Sequence, residues 1–258
     1  MKLSANLSLL FGERPLLQRV VAARAAGFDG VEIQFPYELP ALRLKEALEA
    51  AGLPLVLINL PAGDFMTGGP GLAANPRQRA AFAAALDEAA TYAAMTRPLC
   101  VNLLAGRLEP GGDAQEALAC LTENLREAAR TFAPLGIPVL CEAINSVDMP
   151  GFLVNTAEQL ATVLDRVDHP NCLAQLDLYH VARQGLDPQD AIRRLAGRIG
   201  HVQFADCPGR GAPGSGELDF PALLHALRDS GYEGWLGAEY LPGRRTEDTL
   251  GWLADWRR

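Results

Sequence analysis

The sequence predicts an α/β fold, a closed barrel of eight βα units forming one domain over residues 1–258, and three observations carry that prediction. Apolar, β-rich runs alternate with longer helical stretches eight times, the pattern of repeated βα units around a parallel sheet. The length of 258 residues suits one such barrel, and no Ser-rich, Pro-rich or charge-block linker divides it. An open, doubly wound sheet is the alternative for βα alternation, and its dinucleotide-binding form would carry G-x-G-x-x-G after the first strand. Here that strand runs into LLFGERP.

The expected strands, in order, are 3–8, 30–35, 55–60, 99–104, 139–144, 173–178, 200–205 and 235–240, with helices filling the intervals. In the first helix, 15–26, Leu16, Leu17, Val20, Val21 and Ala25 form one apolar stripe, and Pro15 suits a first helical turn. Joins from helix to strand are tight and contain glycine, as in AGFDG, AGLP, LGIP, AGRIG and GYEG, where Gly can take the left-handed cap conformation. Joins from strand to helix include PAGDFMTGGPGLAAN, NSVDMPGFLVN and DCPGRGAPGSGELDF, too long for mere reversal. The working face is expected where these lie.

Charge and cysteine content narrow the function classes. With 23 basic and 31 acidic residues the net charge is −8, which disfavours nucleic acid or an anionic membrane as partner. Five widely spaced cysteines without C-x-x-C point to neither a disulfide framework nor a thiolate zinc site, and fit a reducing compartment. The N-terminal apolar run is too short to span a membrane and lacks a signal-peptide cleavage pattern, so a cytoplasmic protein is expected. Barrels often form homo-oligomers, although no exposed apolar stripe marks an interface.

Glu142, Asp177, Gln203 and Glu239 each fall at the end of an expected strand, about one βα repeat apart, on strands five to eight. In a parallel barrel the strand C-termini share one rim, so the four side chains should converge. Any one of them alone could cap a helix or pair at the rim. Three carboxylates gathered without a cation would repel one another, and the all-oxygen set suits Mg²⁺ or Mn²⁺.

His180, three residues after Asp177, could hydrogen-bond a substrate oxygen or orient a ligand, and Arg210, among glycines after strand seven, could clamp a carboxylate. His201 points to the same face as Gln203 but deeper, and reads as core-lining; His169 and His225 read as structural. Asn6, Asn59, Asn102 and Asn145 also stand at or just after strand ends, and some of them should line the pocket.

The strings NLPAGD (59–64), EAINSVDMPGF (142–152), LDLYH (176–180), GHVQFADCPGRGAPGSGELDF (200–220) and GYEGWLGAEY (231–240) resemble the hydroxypyruvate isomerase family, within the xylose-isomerase-like TIM barrels. The likeness runs nearly end to end, from ANLSLLF through GFDGVE. It implies isomerisation of a small sugar acid, hydroxypyruvate to tartronate semialdehyde, by proton transfer between adjacent carbons through an enediolate. It also implies one divalent cation, Mg²⁺ or Mn²⁺, on Glu142, Asp177, Gln203 and Glu239, with Glu142 and Glu239 as proton donor and acceptor. His180, Arg210, Asn102 and Asn145 would then bind substrate. Two positions depart from the family pattern: Ala143, where proline is common, and Leu241, where lysine is frequent. Relatives isomerise four-carbon 2-oxo acids, a ketose 3-epimerase would place a histidine at Gln203, and a DNA-repair nuclease would need several metals and more than four histidines. A non-catalytic sugar-acid-binding barrel is a further alternative, against which both glutamates speak.

Overall fold

In the computed structural model, which describes residues 1–256, eight parallel strands close into a barrel in sequence order. The strands are β1 Lys2–Asn6, β2 Gly30–Ile33, β3 Leu55–Asn59, β4 Cys100–Leu103, β5 Val139–Glu142, β6 Cys172–Asp177, β7 Ile199–Phe204 and β8 Trp235–Ala238. Closure comes from β1 pairing with β8, with Lys2 opposite Trp235 and Ala5 opposite Ala238. Around it run α1 Leu16–Ala26, α2 Ala41–Ala51, α3 Arg79–Thr96, α4 Ala114–Phe132, α5 Ala157–Val167, α6 Leu178–Arg183, α7 Pro188–Leu195, α8 Phe220–Asp229 and α9 Gly251–Trp256.

All eight expected strands form, and each ends one or two residues before its expected C-terminal bound. Beyond Asn6 the chain turns at once, Leu10 N–H donating to the Asn6 carbonyl and Ser8 N–H to the Asn6 side chain. Asp177 closes β6 and also caps α6, its Oδ1 accepting from Tyr179 N–H and His180 N–H. A side chain at a strand end is thereby held by the first turn of the next helix.

The stripe expected on α1 is a correction. Val20 and Ala23 are buried, whereas Val21 is 63% exposed and Ala25 also faces solvent. In LLQRVVAARAA apolar residues surround the helix, so spacing alone does not choose the inner face. Pro15 stands just before the helix, as its cap residue. The tight helix-to-strand joins are as expected: Gly27, at φ 95°, donates its N–H back to α1 and turns the chain into β2.

The barrel interior has two levels. At the N-terminal end Leu57, Cys100 and Leu140, with Leu173 against them, form an apolar plug separate from the main core between strands and helices. Two residues further along the same strands, and so on the same face, stand Asn59, Asn102, Glu142 and Gln175. The interior turns from hydrocarbon to polar within one strand repeat.

Candidate active site

The polar level rests on Glu32, a fully buried carboxylate whose partners all donate to it. Ser4 Oγ and His201 Nε2 meet Oε1 at 2.5 and 2.8 Å, and Gln203 Nε2 donates to Oε2 at 2.8 Å. Burial alone would raise its pKa, but the charge and hydrogen bond of His201, with Ser4 and Gln203, hold it below the usual value. Gly237 makes room for it, because a Cβ there would lie 2.1 Å from Glu32 Oε1. A carboxylate only accepts, so Glu32 turns the Gln203 amide with nitrogen inward and oxygen toward the cavity. Gln203 Oε1 accepts from Gln175 Nε2 at 2.6 Å.

Above this layer the four expected side chains converge. Glu142, Asp177, Gln203 and Glu239 are each no more than 5% exposed. Glu142 Oε2 accepts from Asn102 Nδ2 and Gln175 Nε2, both at 3.0 Å. Glu239, one residue past β8, accepts at Oε1 from Asn6 Nδ2 (3.0 Å) and Gln34 Nε2 (2.8 Å), and at Oε2 from the Arg210 guanidinium (3.0 Å). Asp177 Oδ2 is buried without a hydrogen-bond partner. Carboxylate oxygens of Glu142 and Asp177 lie with a ring nitrogen of His180 within 4.8 Å of one another, close enough to share one cation.

Burial raises the pKa of Glu142 well above the carboxylate range, and the charges of Glu239 and Asp177 push it further. Burial likewise raises Asp177 and Glu239, with Arg210 pulling both back. A bare Asp177 oxygen, the desolvated carboxylates of Glu142 and Glu239, and the Gln203 amide oxygen turned away from Glu32 form an oxygen-rich set of the kind a hard divalent cation prefers.

The cavity over these groups measures about 160 Å³ and is lined by Glu142, Gln175, His180, Gln203, Arg210 and Glu239 on the polar side. Phe35, Phe65, Met66, Leu104, Ile144 and Met149 supply an apolar wall. Two long strand-to-helix segments are tied there by Arg107, which donates to the carbonyls of Phe65 (2.9 Å) and Gly69 (2.8 Å) and to Met149 Sδ. The third segment is knotted by Asp206, whose side chain accepts from the N–H groups of Cys207, Gly214, Gly216 and Leu218. That knot presents Arg210, which stacks its guanidinium 5.2 Å from the Tyr179 ring and leaves a buried Nε unpartnered.

Of the expected asparagines, Asn59 lines the cavity, whereas Asn6, Asn102 and Asn145 stand behind its wall. Asn102 braces Glu142, and Asn145 sits 2.6 Å from His180 Nδ1. His201 is buried against Glu32, as its place below Gln203 implied. His225 pairs with Asp229 on the surface, and His169 Nδ1 accepts from Asn171 N–H. Sequence reading missed Glu32, Gln34 and Gln175. Their signal was the strand period of two: Gln175 precedes Asp177 by two, and Glu32 and Gln34 alternate in GVEIQ.

Comparison with known proteins agrees with this architecture. The family model described as xylose isomerase-like TIM barrel matches residues 20–256. Hydroxypyruvate isomerase of Escherichia coli is 38% identical over 257 residues, covering 100% of both chains. The 2-oxo-tetronate isomerase of Pectobacterium atrosepticum is 38% identical over 255 residues, covering 99% of this chain and 97% of its own. A crystal structure described as an AP endonuclease, family 2, from Brucella melitensis superimposes with a TM-score of 0.95 at 38% identity, covering 100% of this chain and 99% of that one.

Proposed function

Since the chain belongs to the hydroxypyruvate isomerase family of xylose isomerase-like TIM barrels, we propose that it is a metal-dependent sugar-acid isomerase converting hydroxypyruvate and tartronate semialdehyde into one another. The observation that carries this reading is the pair of buried glutamates, Glu142 and Glu239, lining one small cavity, with a carboxylate oxygen of the buried Asp177 within 4.8 Å of Glu142.

Glu142, Asp177, Gln203 and Glu239 would hold the cation, Mg²⁺ or Mn²⁺ by their oxygen chemistry. When bound, it offsets the clustered carboxylate charge and polarises neighbouring substrate oxygens as a Lewis acid. The chain's own groups do the rest. Arg210, with its free Nε, holds the substrate carboxylate, and His180 bonds a substrate oxygen. One glutamate removes a proton from C3 of hydroxypyruvate; the pair from the C3–H bond forms a C2=C3 double bond and the C2 carbonyl π pair moves onto O2, giving the enediolate. The other glutamate delivers a proton to C2, while the hydroxyl proton passes from O3 to O2, so that aldehyde and alcohol exchange places. Asn102 and Gln175 steady one glutamate, Asn6 and Gln34 the other, and the Phe65 and Met149 wall limits water.

A four-carbon 2-oxo acid is the second reading, because relatives named for either activity match at 38% identity. A nuclease, the activity in the description of the Brucella protein, finds less support in a chain of net charge −8 with only four histidines. Incubation with Mg²⁺ and hydroxypyruvate in heavy water, followed by proton NMR, should show deuterated tartronate semialdehyde, and a chelator should prevent it. Turnover of a four-carbon oxo acid alone would move the assignment to the second reading, and turnover of no sugar acid would favour a binding protein.

A further inference from the structure

His180 could serve this cavity in two incompatible ways. As a ligand it needs a lone pair on Nε2, whereas as a hydrogen-bond donor it needs a proton there. The network behind the ring decides between them.

Asn145 is pinned twice. Its Oδ1 accepts from the backbone N–H of Asp148 at 2.7 Å, and a backbone nitrogen can only donate. Its Nδ2 faces Asp148 Oδ2 at 3.1 Å, an oxygen of a carboxylate that also receives the Tyr179 hydroxyl and the Arg183 guanidinium. Both contacts require the same orientation of the amide, so its flip is not free. The second hydrogen on Nδ2 then points at His180 Nδ1, 2.6 Å away, and that ring nitrogen must accept. The single ring proton is left on Nε2. Nε2 lies on the cavity side, 3.7 Å from Asp177 Oδ2 and 4.0 Å from Glu142 Oε1. Both separations exceed hydrogen-bond length, so the N–H remains available to a ligand oxygen.

We propose that Asn145 and Asp148 are positioning residues that lock His180 as the neutral Nε2–H tautomer, making it a hydrogen-bond donor to substrate and excluding it from the cation's ligands. This rests on the isomerase reading for the substrate's identity, but the tautomer itself depends only on the network. Ligation through Nε2 would place the ring proton on Nδ1, opposite the Asn145 N–H, with two donors facing each other.

The test uses the full chain with ¹⁵N-labelled histidine and long-range proton–nitrogen correlation at neutral pH, the His180 signals being assigned by loss in His180→Gln. The wild type should show Nε2 protonated and Nδ1 bare, unchanged when Mg²⁺ or Mn²⁺-mimicking Zn²⁺ is added. Exchanging the pair in the double variant Asn145→Asp with Asp148→Asn keeps charge and volume but reverses the donor direction. It should move the ring proton to Nδ1 and lower kcat/KM on the order of 100-fold. An Nδ1–H tautomer or an imidazolium in the wild type, loss of the Nε2 proton on adding metal, or an unmoved proton in the folded exchange variant would each overturn the lock. Should hydroxypyruvate not turn over while the wild-type and variant spectra behave as stated, the substrate assignment fails and the lock stands.

Discussion

The two levels of the barrel interior stand one strand repeat apart and are built on opposite principles. Below, Leu57, Cys100, Leu140 and Leu173 fill the lumen with hydrocarbon. Above, Glu32, Glu142, Asp177 and Glu239 supply four carboxylates, each no more than 5% exposed. The lower level contributes stability through burial and close packing. The upper level costs stability, since each desolvated charge needs donors, and the donors are supplied by Ser4, Asn6, Gln34, Asn102, Gln175 and Arg210. A barrel can carry reactive groups at its C-terminal rim because the plug beneath them is inert.

That contrast predicts opposite phenotypes for the two levels. The largest effect is expected from Glu239→Gln, which should lower kcat by roughly 10³-fold or more while leaving the melting temperature unchanged or raised, because it relieves like charge among buried carboxylates. A folded variant with near-normal turnover would remove Glu239 from proton transfer. Leu140→Ala should act the other way, costing about 2–5 kcal/mol in denaturant unfolding with turnover per folded molecule retained. If activity fell faster than stability, the two levels would not be separable.

Glu32→Gln tests the boundary between them. His201 and Gln203 lose an acceptor-only partner, so stability should fall by about 1–3 kcal/mol, and cation affinity measured by calorimetry should weaken as the Gln203 amide is freed to turn. Unaltered affinity would mean that Gln203 is oriented by something else. The smallest change is expected of Arg107→Ala, outside both levels. Releasing the segments around Phe65 and Met149 should raise KM about five-fold, or ~1 kcal/mol, with kcat nearly constant. A fall in kcat instead would place the apolar wall in the chemistry itself.

Much of this was legible in the chain. The eight strands were visible because parallel strands buried on both faces read as unbroken apolar runs, and Glu142, Asp177, Gln203 and Glu239 because each interrupts such a run at its C-terminal end. Glu32 and Gln175 were less legible, since an acid or amide inside a strand carries no label saying whether it faces solvent or lumen. Helix α1 shows the same limit, because apolar residues on every side hide the inward one.

Sequence by itself determined the order of βα units, the rim on which function gathers and the oxygen-rich donor set, since these follow from local periodicity and residue chemistry. Tertiary structure alone decided the partners: that Glu32 turns the Gln203 oxygen toward the cavity, that Arg210 reaches Glu239, and that Asn145 faces His180. Hydrogen-bond direction depends on which atoms meet across distant strands, and no local pattern encodes that meeting until the barrel closes.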